Sequence, residues 1–353
     1  MRRAVCPGAA PGVAWHDVPI VSTTSPVPVP APAAAPPTTA VAVELTAVIV
    51  AVHDNRPWVL MVDRDGRPAL PSGPFDPVGD RTLDRAMRRW GTDLTGLSLG
   101  FVEQLYTFGD IGRDPVAAAS GARVLSIAYL AFVAAGAAEP SAASGARWMD
   151  VYELLPWEDR RDGEAAGFGE LMVSAIRAWS GADAAGDNGD ERPSRLDRAE
   201  QCWSLGGAPW DPVRSLERYE LLFEAGLVAE AAASGAAMPA TSAATGVAAA
   251  LDHRRILASA LGRVRGKLTY RPVVFELLPD TFTLLQLQHV VEALAGVTLH
   301  KQNFRRLVEG AGLVEGTGRR AEGLTGRPAE LFRFRRGVLR ERPAPGMNLP
   351  GRR

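Results

Sequence analysis

Apolar positions recur with two different periods along this chain, and the change of period divides it. Between residues 44 and 133 the pattern is short and β-like. "ELTAVIVAV" (Glu44–Val52) is a continuous β-branched run, the signature of a strand buried on both faces. "RPWVLMVDRDGRPALP" predicts a strand, an Asp-Gly turn and a second strand. One helical stretch follows, Arg81–Leu94. "GFVEQLYTF" and "ARVLSIAYLAFV" then predict two strands joined by the loop "GDIGRDPVAAASG". Strands with one early helix make an α+β pattern.

Beyond residue 160 the period becomes helical. Phe168, Leu171, Met172, Ala175, Ile176 and Trp179 fall at 3,4 spacing and predict a helix that closes the first domain. Further helices are expected near Arg195–Leu205 and Pro212–Ala232. "DHRRILASALGRVRGKL" places Ile256, Leu257, Ala260, Leu261 and Val264 on one side and its basic residues on the other. In "FTLLQLQHVVEALAG", Leu284, Leu287, Val291 and Leu294 form a stripe, with Thr283 placed to cap its start and Gly296 its end. A second helix, "LHKQNFRRLVEGAGL", follows a very short turn. "VEGTGRRAEGLTGRPAELFRFRRG" then predicts strand, Gly/Arg-rich loop, strand. Helix, tight turn, helix and basic hairpin are the sequence grammar of a winged helix-turn-helix.

Composition adds the boundaries. The chain has 353 residues, enough for about two domains of roughly 100–200 residues. Residues 1–40 form a Pro/Ala-rich tail ("SPVPVPAPAAAPP") expected to be extended and without a core. The expected organisation is then a sensing domain over 41–180, a helical or linker insertion over 181–246, the winged helix over 247–340, and a basic tail over 341–353. Cys6 and Cys202 make no metal pattern and no disulfide is expected, which fits a reducing compartment. No signal-peptide apolar run follows Met1-Arg2-Arg3, and no apolar run reaches the ~18–20 residues of a membrane span. A cytoplasmic protein with no membrane partner is expected.

Charge is divided more sharply than its net value of −1 suggests. From Leu251 to Arg353, 19 Lys and Arg stand against 9 Asp and Glu; the remainder carries 20 against 31. A basic block of this kind is the footprint of a polyanion binder. On a helical projection of "LHKQNFRRLV", Phe304, Leu307 and Val308 share one face, and His300 falls with them, as a packing or capping residue. Lys301, Gln302, Arg305 and Arg306 occupy the opposite face, with Asn303 at the boundary. Arg pairs bidentately with guanine and Gln with adenine in the major groove. Arg319 and Arg320 fall at the expected wing tip, suited to phosphate or minor-groove contact, while Arg327 is as much a structural candidate as a contacting one.

"LPSG", a helix and "LTGL" (Leu70 to Leu97) resemble a degenerate Nudix box, the loop–helix motif of nucleoside-diphosphate hydrolases. Intact boxes run Gly, five residues, Glu, seven residues, Arg-Glu, two residues, Glu-Glu, one residue, Gly. Counted from Gly73, the first Glu position falls on Gly79. The Glu-Glu pair maps onto Thr92-Asp93 or Asp93-Leu94, so at most one metal carboxylate survives. Magnesium requires oxygen ligands in near-octahedral geometry, so neither a metal site nor catalytic residues are expected. Asp80, Asp84, Glu103 and Glu170 are candidates for an unconventional site. Arg85, Arg88 and Arg89 are either solvated surface charges or, Arg88 foremost, direct contacts to a diphosphate.

The resemblance continues outside the box. "EQLYTFGDIGRDP…RVLSIAYLAF" is similar to the ligand segment of Nudix-related transcriptional regulators of NAD metabolism, the NrtR type. "LDHRRILASALGRVRGKLTYRPVVFELLP", "FTLLQLQ", "LHKQNFRR" and "GRPAELFRF" are similar to their winged-helix half, with a longer, NadQ-like form the nearest match. Together these segments span about residues 44–155 and 250–338. The resemblance implies an α+β protein in which a Nudix-like α/β/α sandwich precedes the winged helix. It implies a homodimeric repressor of NAD biosynthesis or salvage genes that binds double-stranded operator DNA. It requires no cofactor and answers to an effector nucleotide: ADP-ribose, NAD or ATP. Carried onto this chain, the ligand segment is Tyr106, Phe108, Arg113, Asp114 and Arg123, with Arg113 and Arg123 suited to phosphate and Tyr106 or Phe108 to adenine. The same residues also suit a strand core and a loop Arg paired with Asp114. The rival expectation is an active ADP-ribose hydrolase with an accessory nucleic-acid-binding domain.

Overall fold

The computed structural model describes residues 41–97, 99–134, 140, 145–163, 170–181, 193–233, 242–321 and 328–341. The first strands are β1 (Val41–His53), β2 (Arg56–Arg64), β3 (Arg67–Ala69) and β4 (Ser72–Pro74), followed by helix α1 (Leu83–Thr95). Strand β5 (Val102–Phe108), the short helix α2 (Pro115–Ala119) and β6 (Arg123–Phe132) come next, then β7 (Arg147–Asp150) and α3 (Val151–Leu154). The middle of the chain supplies α4 (Glu170–Gly181), α5 (Arg195–Trp203), α6 (Ser215–Glu224) and α7 (Ala229–Ala233). The last part holds α8 (His253–Tyr270), α9 (Leu284–Ala295), α10 (Lys301–Ala311), β8 (Val314–Arg320), β9 (Glu330–Phe334) and α11 (Val338–Glu341).

The front sheet has the order β3-β2-β1-β6-β5, with β4 on β1 and β7 on β2. Among the described residues only β1 and β6 run parallel, in register from Val41↔Arg123 to Val50↔Phe132; the other pairs are antiparallel. Tight turns at Asp54-Asn55 and Asp65-Gly66, all with positive φ, match the twist of the hairpins they close. Because strand side chains alternate, β1 serves two cores. Leu45, Ala47 and Ile49 meet Ala86 and Met87 of α1. Val48, Val50 and Val52 belong to a second core that continues through Tyr152 and Trp157 to α8, α9 and Phe304 of α10.

That second core corrects the expected layering. The helix expected through Phe168 to Trp179 is described from Glu170; it packs against α5, and its Met172 and Ile176 join the second core. The far face of the sheet is covered by α8 and α9 instead. Apolar packing therefore crosses every boundary that composition suggested between 41 and 340. The single helix expected over 212–232 is two, α6 and α7, separated by Gly226 at φ 70°.

Candidate functional site

The helix pair at the C-terminal end is built as its sequence dictates. Thr283 Oγ1 accepts from Gln286 N at 3.1 Å, and the Gln286 side chain accepts from Thr283 N at 2.8 Å, a complete capping box on α9. Gly296 ends α9 at φ 67°, and a Cβ there would lie 2.2 Å from the Glu158 carbonyl oxygen. Only glycine fits this corner. On α10, Phe304 and Val308 are buried, while Lys301, Gln302, Asn303, Arg305 and Arg306 are all exposed. Among the described residues none of these cations has a carboxylate within salt-bridge distance; Arg306 donates to Asn303 Oδ1 at 3.1 Å. His300 departs from expectation: it is the exposed N-cap residue of α10, neither packed nor capping with its side chain.

The wing is the β8–β9 hairpin, fixed to the helices by the Phe282↔Phe332 bridge and by Phe275 stacked on Phe334 at 4.4 Å. Arg319 and Arg320 are exposed at the end of β8. Arg327 and the rest of the tip, 322–327, lie outside the described residues. Two further arginines of the hairpin region are engaged locally, Arg333 with Glu315 at 2.6 Å and Arg335 with Glu341 at 2.8 Å.

In the front half, α1 presents arginines where an intact box would present acids. Arg88 donates to Asp84 and to the carbonyls of Leu99 and Gly100 at 3.1–3.2 Å, holding the chain that leaves the helix. Arg89 meets Asp80 at 2.5 Å and Asp93 at 3.9 Å. Asp76 accepts from Val78 N at 2.9 Å, and backbone N–H groups hold its carboxyl below the usual range. Such a donor set does not fit magnesium: its carboxylates are spent on guanidiniums and turn amides, and no cluster of three metal-ligating side chains occurs among the described residues.

A small concavity of about 230 Å³ lies under the 109–121 loop. It is lined by Asp110, Ile111, Gly112, Arg113, Asp114 and Arg123, among others. It thus gathers three of the six residues expected to bind a nucleotide. Arg123 is exposed there and donates to the Gly109 carbonyl at 2.9 Å. Asp114 caps α2 and pairs with Arg64 at 3.2 Å. Arg113 differs from expectation: its side chain is buried and shared by Glu44 at 2.9 Å and Asp252 at 2.8 Å. Those carboxylates outweigh the cost of burial and raise its pKa. It is a clamp between β1 and the approach to α8, not an open phosphate ligand. Phe108 is in the core, Tyr106 is exposed beneath Arg263, and Arg88 is on α1, so none of these three lines the concavity.

One site was not anticipated. Glu158 is fully buried and accepts from Arg218 Nε at 2.7 Å and Nη2 at 3.0 Å, from Ser215 Oγ at 3.2 Å, and from Arg265 Nη1. Burial alone would raise its pKa, but the two guanidiniums prevail and hold it low. Arg265 also donates to the Leu294 carbonyl at 3.0 Å, and Arg160 N donates to the Gly296 carbonyl at 2.8 Å. The chain after α3, α6, α8 and the end of α9 therefore meet at one carboxylate. Nothing in the local sequence around Glu158 signals this. The available hint was the excess of acids in the first part of the chain and of bases in the last.

With this geometry in view, comparison with known proteins becomes specific. The model of the NrtR DNA-binding winged helix domain matches residues 274–334, from the segment before α9 to the end of β9. The C-terminal part of the chain is similar to that domain over these residues. The ADPR responsive transcriptional repressor NtrR of Acinetobacter baylyi is 38% identical over 86 residues, 24% of this chain and 34% of that protein. The match thus spans about a third of the relative's length. Two crystal structures of NrtR from Shewanella oneidensis, one complexed with a 27mer DNA, are each 22% identical and align over 84% of this chain. They cover 94% and 95% of their own chains, with TM-scores of 0.51 and 0.50. At that identity they speak for the fold, which they share over most of this chain.

Proposed function

We propose that this protein is a sequence-specific DNA-binding repressor whose front half senses an NAD-related nucleotide without hydrolysing it. The observation that carries this is the uncompensated polar face of α10 beside a basic wing, within a segment that matches the NrtR winged-helix model. Lys301, Gln302, Asn303, Arg305 and Arg306 would face base edges and phosphates, and Arg319 and Arg320 would follow the backbone. A homodimer would set two such helices about one duplex turn apart on a near-palindromic operator in promoters of NAD genes.

ADP-ribose is the first effector to test, because the curated relative is named for its response to it; NAD and ATP are the alternatives. Arg123 and the loop above it would take the diphosphate, with the rest of the nucleotide outside so small a concavity. An effector that moved the population from 1:99 to 99:1 would need ~5.5 kcal/mol of differential affinity.

One gel-shift series tests the reading: upstream DNA of NAD genes, physiological salt, and titrations with ADP-ribose, NAD and ATP. Saturable, sequence-dependent binding that one nucleotide alters is the expected result, and Arg123→Ala should abolish the response while sparing operator binding. Binding indifferent to sequence would overturn it. Turnover of ADP-ribose with magnesium near ~1 s⁻¹, an ordinary enzyme rate, would restore the hydrolase reading.

A further inference from the structure

Behind α10 lies a second, larger cavity, of about 570 Å³. Four segments wall it: Trp210 to Val213 ahead of α6, the end of α8, the α9–α10 turn, and the inner side of α10. Its volume falls in the ~300–1,000 Å³ range of small-molecule sites. It shares no lining residue with the concavity under the 109–121 loop.

The lining is chemically one-sided. Leu268, Ala295 and Phe304 are buried and form an apolar floor with the partly buried Leu299 and Leu307. Trp210 adds an aromatic edge, its ring already carrying the guanidiniums of Arg160 and Arg218 at 4.2 and 3.9 Å. Among the polar groups, Arg265 is neutralised by Glu158, and Thr269 and Thr298 donate to the carbonyls of Gly266 and Arg161. Arg306 remains, with Asn303 as its hydrogen-bond partner, and beside it His300. No lining residue is acidic. A cavity with an apolar interior and an exposed guanidinium in its lining selects an anion on an apolar body.

We infer that this cavity is a second ligand site, which takes an aromatic acid: the ring system on the apolar floor beside the edge of Trp210, and the carboxylate or sulfonate at Arg306. Because α10 is one wall, the occupant would touch the element that also faces outward with Gln302 and Arg305. The site shares Asn303 and Arg306 with the proposed DNA-facing set, so it is tested without DNA, where its failure and that of the DNA reading are read separately.

Fluorescence titration of the full chain with anilinonaphthalene sulfonate tests it, with the uncharged N-phenylnaphthylamine as the control. The expected result is one saturable dye site per chain and a clear preference for the anion. Arg306→Gln should weaken the anion about tenfold, the scale of one charge-assisted hydrogen bond, and leave the neutral dye unchanged. Val213 is 45% exposed at the rim, so Val213→Trp should fold normally, fill the mouth and abolish binding of both dyes. Absence of a saturable site, or binding indifferent to both substitutions, overturns the proposal. A stoichiometry of one dye per two chains, with Val213→Trp shifting the oligomeric state, would assign the groove to a second copy and also overturn it.

Discussion

Helices α8 and α10 are both amphipathic and both rich in arginine, yet the fold uses their charges in opposite ways. Thirteen of the 18 residues of α8 are buried, because the sheet covers one side and α6 another; on α10 only Phe304 and Val308 are. The cations of α8 therefore had to find acids. Arg254 meets Glu230 at 3.0 Å, Arg255 meets Glu220 at 2.7 Å, Arg263 and Lys267 share Glu103, and Arg265 meets Glu158. Those of α10 face solvent. Part of the charge surplus of the last hundred residues is thus internal pairing with the acidic first part, and only the remainder is available to a polyanion. Net charge per segment cannot distinguish these uses; the number of faces a helix must bury does.

The largest expected effect lies on the buried side of this contrast. Glu158→Ala would strand two guanidiniums and should cost roughly 3–5 kcal/mol in chemical denaturation, with Arg263→Gln, a partly exposed pair, below about 1 kcal/mol. An equal loss from both would erase the distinction between buried and surface pairs on α8. Next is acid sensitivity. His253, at the start of α8, accepts from Leu70 N at 2.9 Å, and burial first, then Arg113 and Arg64, press its pKa from 6.5 to about 3. The unfolded chain therefore binds a proton below pH 6.5 that the folded chain refuses. This term is intact above pH 6.5, and it is lost as pH falls toward 3 at about 1.4 kcal/mol per unit. Unfolding curves of wild type and His253→Gln between pH 7 and pH 5 should diverge by that slope; parallel curves would refute it.

On α10 the expected effects fall on recognition and leave stability alone. Arg305→Ala or Gln302→Ala should each remove roughly 1–3 kcal/mol of operator discrimination and shift stability by no more than about 0.5 kcal/mol. Retained specificity would mean that another surface reads the bases. Smallest are the wing changes. Arg319→Ala or Arg320→Ala should weaken binding to all sequences alike and reduce the salt-dependence slope by roughly 1 each; a sequence-selective loss would move the wing into the reading surface.

What could be read in advance follows from the range of the forces involved. The α+β order, the capping box at Thr283, the stop at Gly296 and the outward set Lys301 to Arg306 depend on neighbours within four residues, and the sequence pattern carried them. Short pieces without a period, β4, β7 and α3, passed unnoticed. The burial of Arg113 is not legible locally, because its partners, Glu44 and Asp252, are 69 and 139 residues away. Phe108 faces inward because β5 has a register shift between Gln104 and Thr107, which strict alternation does not foresee. The Glu158 cluster joins residues up to 107 apart and left no local trace.

The close approach of Gly296 to the Glu158 carbonyl has a consequence for engineering. The corner between α9 and α10 rests directly on chain from the middle of the sequence, so the module is not portable. A graft of residues 247–340 onto a foreign sensor would bring Arg254 and Arg265 without their counterions and leave one flank of α9 bare to water. Transplanting this reader means carrying its seat along with it.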